Sequence, residues 1–583
     1  MKNPLILLTT LGVLLILIIG CEASNDQDDA DANQEKTGDN QEKAEGSEEK
    51  AETVYLNGNI YTVDNDFSKA TAMAIKDRKL IYVGNDEDAD KYVGPDTKVV
   101  DLKEKTVIPG LNDGHIHYTS LGTNLLEIDA FNKPKEEILK LVQEEASSLE
   151  PGEWILGRGW NHELWPDEKF PTKEELDQIA PDNPVVLTRV DGHSIWVNSK
   201  ALEIGGITKE TPNPQGGEII RDGEGEATGV LVDAARSSVT SEIPSYSRER
   251  IAEAQMKAQQ QLFSNGITSS SDAGADLQEI DIMKELYKKD DLKVRLNVMI
   301  SNSMGEVGEG LAYYFENGPE VGLFDNRLTV RSVKLMADGA LGSRSAALME
   351  DYSDRQGHEG NYLYSDEEIY NLVKKSRENG IQVAAHAIGD GAVQQVIDAY
   401  EKVLSENPLD DHRWRIEHFQ ISNPSQIEKI AELGIIPSMQ PTHATSDKNM
   451  AEDRLGSERI KYSYAWRKIM DAGSHIIGGS DAPVELINPF HGIYAAVTRM
   501  DRDGNPPGGW YPEEKMTREE ALRSFTTWAA EGSFEEDIKG SLEPGKLADF
   551  IVIDKDIMEI PEEQLKDIKV LSTVLGGEAV YEK

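Results

Sequence analysis

Short apolar runs recur eight times between residues 107 and 479, and amphipathic stretches with helical spacing separate them. The runs are at 107–111, 266–270, 294–300, 328–336, 381–385, 414–417, 434–439 and 475–479. Such alternation is the pattern of a parallel sheet with crossover helices. Eight parallel strands predict an α/β fold of the closed (β/α)8 TIM-like barrel type, in which chemistry is performed at the C-terminal ends of the strands.

Both ends of the predicted folded body are rich in β-strand residues. Strand-like runs lie at 70–75, 80–83 and 99–102 and again at 548–554 and 570–581, while turn residues within 54–63 predict a hairpin. Because domain ends commonly lie close together, we expect residues 54–106 and 540–583 to form one small β-sandwich domain. The barrel then occupies 107–539, with an insertion after its first strand at about 118–243.

The N-terminus predicts export. Residues 1–20 combine a short polar start with an apolar run, typical of a signal peptide, and end in Gly20-Cys21, which resembles a bacterial lipobox. Cys21 is the only cysteine, so no disulfide can form within the chain. Within residues 21–53 we expect a lipidated Cys21 followed by a disordered acidic linker. We expect a lipoprotein anchored to the outer face of a bacterial cell membrane; the alternative is a cleaved signal with an incidental cysteine.

The charge balance excludes one class of partner. The 583 residues include 106 acidic and 60 basic side chains, for a formal net charge of -46. This field repels phosphate backbones, so we expect no nucleic-acid partner. The sequence also lacks a glycine-rich loop with the spacing of a nucleotide site and a Gly-x-Ser-x-Gly nucleophile motif.

Candidate metal ligands lie at the ends of predicted strands. Alternate residues of an extended segment point the same way, so His115 and His117 can face one cation. Four further side chains end other predicted strands: Lys334, His386, His418 and Asp481. Any one of them alone is better explained as an ordinary core or loop residue, but the set predicts a shared site.

The order His-x-His, Lys, His, His, Asp resembles the amidohydrolase superfamily. Over roughly residues 53–582 the surrounding sequence resembles the YtcJ-like branch of this superfamily, which includes N-substituted formamide deformylases. The phrases that carry the resemblance are VKLMADG (333–339), HAIGD (386–390), RIEH (415–418), GSDAP (479–483) and GKLAD (545–549). Residues 112–114, Asn-Asp-Gly, differ from those that often precede the first histidine in these relatives, but no predicted metal ligand is lost.

The resemblance implies a metal-dependent hydrolase of carbon-nitrogen bonds other than peptide bonds, in amides, formamides or cyclic amides. One or two divalent ions, most often zinc, would be bound by the six residues, with Lys334 carboxylated to a bridging carbamate. Asp481 would be both ligand and catalytic base, transferring a proton from metal-activated water to the leaving nitrogen. The alternative for Lys334 is a salt bridge with Asp338, which leaves a single-metal site.

Further residues are candidates for substrate contact. His193 and Arg344 are predicted to bind substrate, although a buried structural histidine and a surface ion pair are the competing interpretations. His443, after the seventh strand, has a similar place in the sequence. Tryptophans 154, 160, 165 and 196 of the insertion either form an aromatic lid or pack as a core.

Two other functions fit parts of the sequence. The same metals can attack an ester or phosphoester, because this scaffold accepts several electrophiles. A solute-binding lipoprotein fits the export signal and the size, but it has no need of metal ligands at several strand ends. In either enzyme reading the partner is a small-molecule substrate, and a homodimer is left open.

Overall fold

The computed structural model describes residues 49–131, 133–162, 165–189, 194–214, 217–302 and 307–583. They belong to one unit, Glu49–Lys583. The predicted signal peptide, Cys21, residues 22–48 of the predicted linker and His193 lie outside the described residues. Among the described residues, no helix combines the length and apolar character needed to span a bilayer.

The chain begins with seven strands that are divided between two sheets. They are β1 (Thr53–Leu56), β2 (Asn59–Tyr61), β3 (Lys69–Ala70), β4 (Ala72–Lys76), β5 (Lys79–Gly84), β6 (Lys98–Asp101) and β7 (Thr106–Pro109), with helix α1 (Asp86–Ala89) after β5. One sheet has the order β5-β4-β1-β6, whereas β2, β3 and β7 belong to the other. The predicted hairpin over 54–63 is therefore wrong. Asn57 adopts a left-handed φ of 54° and the chain crosses between sheets there, because β1 and β2 pair with different partners.

The next segment contains the first barrel strand and the insertion. Strand β8 (Leu111–Ile116) starts the barrel, so the predicted strand at 107–111 is displaced: its first residues form β7 of the sandwich. The insertion comprises α2 (Tyr118–Leu126), β9 (Ile128–Asp129), α3 (Lys135–Ala146), β10 (Ile155–Trp160), α4 (Lys173–Asp177), β11 (Val185–Arg189), β12 (Ser194–Val197), α5 (Ser199–Ile204), β13 (Gly217–Arg221), β14 (Ala227–Asp233) and α6 (Ser237–Thr240). Its strands form a sheet of their own, in the order β13-β14-β12-β11-β10-β9.

The remaining barrel strands alternate with helices. They are β15 (Ile267–Ala275), β16 (Arg295–Ser301), β18 (Leu328–Met336), β19 (Gln382–Ala387), β20 (Arg415–His418), β21 (Ile436–Met439) and β22 (Ile477–Gly478), and a short strand β17 (Glu320–Gly322) pairs with β18. The helices are α7 (Arg248–Ser264), α8 (Leu277–Lys288), α9 (Glu309–Asn317), α10 (Leu323–Asn326), α11 (Asp366–Glu378), α12 (Asp390–Glu406), α13 (Pro424–Leu433), α14 (Pro441–Asp447), α15 (Ala451–Arg459), α16 (Trp466–Asp471), α17 (Pro489–Thr498), α18 (Arg518–Ser524) and α19 (Thr527–Glu531). Capping boxes start several of them, including α8, α11, α13 and α18.

The described barrel strands run parallel in the order β22-β21-β20-β19-β18-β16-β15-β8. Backbone hydrogen bonds return the last strand to the first: Asp481 N donates to His115 O at 2.7 Å and His117 N donates to Ala482 O at 2.9 Å. Glycine is required at this seam, since a Cβ on Gly479 would lie 2.7 Å from His115 N. The prediction of a (β/α)8 barrel is confirmed.

Three C-terminal strands complete the small domain: β23 (Phe550–Ile553), β24 (Val570–Leu575) and β25 (Glu578–Glu582). They extend the second sheet to the order β25-β24-β23-β7-β2-β3. Buried residues from both sheets, among them Tyr55, Met73, Val107 and Phe550, form one apolar cluster between them. A β-rich domain built from both termini is therefore confirmed, and β7 leads directly from it into the first barrel strand.

Candidate active site

The predicted ligands all lie at the C-terminal ends of barrel strands. His115 is in β8 and His117 follows it, Lys334 and His386 are near the ends of β18 and β19, His418 ends β20, and Asp481 follows β22. His418 and Asp481 have left-handed φ angles of 74° and 58°. Non-glycine residues seldom adopt this conformation, and such strain concentrates at functional sites.

These side chains meet in one cluster. His115 Nε2 lies 3.2 Å from Lys334 Nζ and 3.5 Å from Asp481 Oδ1, and His117 Nε2 lies 3.2 Å from the same Asp481 oxygen. The ring of His418 is centred 4.8 Å from that of His115 and 4.6 Å from that of His386. The structure therefore brings all six predicted ligands together.

A buried layer of polar side chains orients two of the imidazoles. His115 Nδ1 is hydrogen-bonded to the Glu417 carboxylate, which also accepts from Arg415 Nε at 2.7 Å and Nη2 at 3.0 Å. His418 Nδ1 lies 2.7 Å from Gln440 Oε1. With Nδ1 occupied in this way, Nε2 of each ring is left with a lone pair for a cation.

Sequence reasoning did not find Glu417, Arg415 or Gln440 as site residues. The motif RIEH contains the first two, and the only signal is a charged pair inside a buried strand. Gln440 follows β21 and carries no local signal. The contacts that give these residues their roles join different strands, which a single sequence does not specify.

Burial and neighbouring charges favour protonation states that bind metal. Burial, followed by the charge of Lys334, lowers the pKa of His115 to about 4, and burial with His386 and His115 holds the pKa of His418 well below its usual value. Burial also lowers the pKa of Lys334. For Asp481, burial alone raises the pKa, but His117, His115 and other nearby imidazoles outweigh it and hold that pKa well below its usual value. Neutral imidazoles beside an ionised carboxylate are the forms that ligate cations.

The donor set fits a divalent cation. Ligand atoms of His115, His418 and Asp481 all lie within 4.8 Å of one another. His386 Nε2 and Asp481 Oδ1 are buried without a hydrogen bond of good geometry to the described residues. Buried polar atoms are normally satisfied, and imidazole nitrogens with a carboxylate oxygen are the ligands that zinc prefers.

The competing interpretation of Lys334 as the partner of Asp338 is not supported by the described contacts. Asp338 instead accepts hydrogen bonds from the backbone N–H groups of Ala347, Ile388 and Gly389, at 2.8 to 3.0 Å. Its carboxylate therefore orders the loops that follow β18 and β19. Lys334 Nζ faces His115 instead.

The secondary candidates have different outcomes. Arg344 is held by Asp354 through contacts of 3.1 and 2.8 Å, the surface ion pair that was the competing interpretation, and none of its described contacts is to the ligand cluster. Trp160, Trp165 and Trp196 are buried and pack against one another, so they form the core of the insertion rather than an aromatic lid. His443, by contrast, lies beside Asp481.

A (β/α)8 barrel with a histidine-rich cluster at its C-terminal strand ends is the architecture of a metal-dependent hydrolase. The profile of the Amidohydrolase family matches residues 98–581. The chain belongs to this family, and its relatives place it in the YtcJ-like branch.

Two of these relatives match almost end to end. The putative amidohydrolase YtcJ of Bacillus subtilis is 32% identical over 91% of this chain and 100% of its own length. The N-substituted formamide deformylase of Arthrobacter pascens is 28% identical over 91% of this chain and 98% of its own. The solved structure of an uncharacterized metal-dependent hydrolase from Pyrococcus furiosus is 28% identical, covering 87% of this chain and 100% of its own, with a TM-score of 0.72.

Proposed function

We propose that this hydrolase cleaves the carbon-nitrogen bond of an amide, a formamide or a cyclic amide. One or two divalent cations, with zinc the expected metal, would be held by His115, His117, Lys334, His386, His418 and Asp481. The observation that carries the proposal is the convergence of imidazoles and the Asp481 carboxylate within a few ångströms. The similarity to an N-substituted formamide deformylase supports the choice of bond.

Carboxylation of Lys334 is part of this proposal. An ammonium group has no lone pair for a metal, whereas a carbamate offers two anionic oxygens. Lys334 is buried, and burial lowers the pKa of its amine, which favours the neutral form that reacts with carbon dioxide. Its Nζ is already directed at the cluster, 3.2 Å from His115 Nε2.

The site residues have different roles in the proposed reaction. A bound cation supplies Lewis acidity, which polarises a carbonyl and lowers the pKa of water. Asp481 stays ionised near neutral pH, so its carboxylate can accept a proton from the attacking water and donate it to the leaving nitrogen. Glu417 and Arg415 hold the His115 ring in place. The His117 side chain is 34% exposed, so we expect substrate to reach the cluster from its side.

The test is a substrate screen with zinc-loaded protein. Matched N-substituted formamides, N-acyl amines, hydantoins, esters and phosphoesters are compared by kcat/KM. We expect turnover of a carbon-nitrogen substrate, and its loss in His117→Ala. A matched control is His412→Ala: His412 is also buried, but its ring nitrogens contact the Leu433 carbonyl and the Trp414 N–H. Hydrolysis of esters or phosphoesters alone would contradict the proposal.

We also propose that the protein is exported and attached to the membrane through Cys21. The support is the lipobox-like ending of residues 1–20 and the uniqueness of this cysteine. The expected result is a diacylglyceryl modification in the mass spectrum of the mature N-terminal peptide, and release into the soluble fraction on Cys21→Ala. An unmodified Cys21 in membrane-bound protein would contradict it.

A further inference from the structure

His443 lies beside the reactive carboxylate without being bound to it. It is the third residue of α14, which begins two residues after β21. Its ring stacks on that of His418, with centroids 5.9 Å apart and planes at 20°. His443 Nε2 is 3.6 Å from Asp481 Oδ2, beyond hydrogen-bonding distance. The nitrogen therefore faces the carboxylate that is proposed to transfer the proton.

The other side of the ring is held by a chain of polar residues. Gln420 Nε2 lies 3.0 Å from His443 Nδ1, and Gln420 Oε1 lies 3.4 Å from the Tyr464 hydroxyl oxygen. The same hydroxyl donates to Asp447 Oδ2 at 2.6 Å. Gln420, Tyr464 and His443 are all buried. These contacts join the segment after β20 to α14 and hold the Gln420 side chain beside the His443 ring.

Two neighbours indicate that a neutral His443 carries its hydrogen on Nε2. Nδ1 lies 3.0 Å from the Gln420 amide nitrogen, which can only donate, and Nε2 faces the Asp481 carboxylate, whose negative charge favours a hydrogen on that nitrogen. Nε2 is buried and makes no hydrogen bond to the described residues. A buried donor without an acceptor is destabilising, and a ligand with a suitably placed oxygen removes that cost.

We propose that His443 Nε2–H donates a hydrogen bond to the oxygen of the scissile carbonyl, and that this bond strengthens as negative charge develops there. The inference rests on the proposed function, because it assumes a carbonyl substrate. In the proposed reaction the Asp481 carboxylate takes the proton, and its Oδ2 lies 3.6 Å from His443 Nε2, so a carbonyl positioned for attack beside that carboxylate lies within reach of His443. His443 would then be a catalytic residue, and Gln420 a positioning residue.

Kinetics and metal content of His443 variants test this role. Removing a donor to a developing oxyanion lowers kcat by about 10²–10³-fold, and His443→Ala should show this loss with KM changed less than threefold and metal per chain unchanged. His443→Gln keeps an amide donor and should recover part of the loss. Gln420→Leu frees the tautomer and should lower kcat by about tenfold. His412→Ala, the control, should retain kcat.

A second measurement does not depend on turnover. Binding of an N-alkyl methylphosphonamidate, whose tetrahedral oxygens imitate the attacked carbonyl, should weaken about 10²-fold in His443→Ala by calorimetry. Unchanged binding, a rise in KM with kcat intact, or loss of metal would each overturn the inference, the last because it makes His443 a ligand. Wild-type protein that hydrolyses only esters refutes the proposed bond but leaves the His443 assignment testable on the ester carbonyl.

Discussion

Replacing Glu417 by glutamine tests the buried layer behind the site. The Glu417 side chain is fully buried and accepts from both Arg415 and His115 Nδ1. Although burial alone raises its pKa, the charge of Arg415 and the hydrogen bond from His115 Nδ1 hold the pKa of this carboxyl well below its usual range. It is therefore an anion throughout the working pH range, and Glu417→Gln removes that charge while nearly preserving the shape.

The expected effect has two parts. Breaking a buried ion pair by removing one partner costs about 3–5 kcal/mol, because Arg415 is left buried and uncompensated. The same change weakens the hydrogen bond that orients His115. Loss of such an outer partner lowers metal affinity about 10–100-fold, which is roughly 1.4–2.7 kcal/mol.

Both parts are measurable on one variant. Denaturant unfolding of chelator-treated protein gives the stability change, and competition with a fluorescent zinc chelator gives the affinity. Glu514→Gln is the matched control: Glu514 is also buried, but it binds Lys468 and the backbone N–H of Arg467 rather than a predicted ligand. Glu514→Gln should lower the free energy of unfolding and leave the zinc affinity unchanged. Unchanged stability and affinity in Glu417→Gln would refute the reasoning.

Three further outcomes follow from the structure. Asp549→Asn breaks the buried ion pair between Asp549 of the C-terminal segment and Arg295 of the barrel. The free energy of unfolding should fall by about 3–5 kcal/mol without change in kcat. An unchanged denaturation midpoint would contradict this expectation. Burial raises the pKa of Asp272 to about 8, so the fold loses stability as pH rises from about 4 to 8. Asp272→Asn removes that loss, and its stability relative to wild type should rise by up to about 1.4 kcal/mol per pH unit in metal-free protein; a pH-independent difference contradicts it. Chelation should abolish hydrolysis and zinc should restore it, as an assay before and after dialysis would show.

Much of the barrel could be predicted because apolar runs and helical spacing are local signals. The pattern predicts the strand at 328–336 with its observed bounds and the other barrel strands after the first within two residues at each end, except that β15 continues five residues past the predicted end at 270. The first is displaced because the apolar signal lies mainly in 106–109, whereas the barrel strand at 111–116 contains Asn112, Asp113 and His115. Periodicity does not show which sheet a strand joins. The hairpin at 54–63 failed for the same reason.

The clustering of the six ligand candidates could be predicted because parallel strands end at one face of a barrel. The side chains that contact these candidates could not be predicted from the sequence. Glu417 contacts His115 across 302 residues of sequence, and Gln420 meets His443 and Tyr464 only once α14 is folded. Partner choice of this kind depends on which strands are adjacent and on the position of each loop.

The most direct test of the metal centre is anomalous diffraction from zinc-soaked crystals, recorded on both sides of the zinc absorption edge. We expect an anomalous peak among His115, His418 and the Asp481 carboxylate, and its disappearance in His115→Ala. Zinc bound only elsewhere on the chain, or full occupancy of the site in His115→Ala, would contradict it.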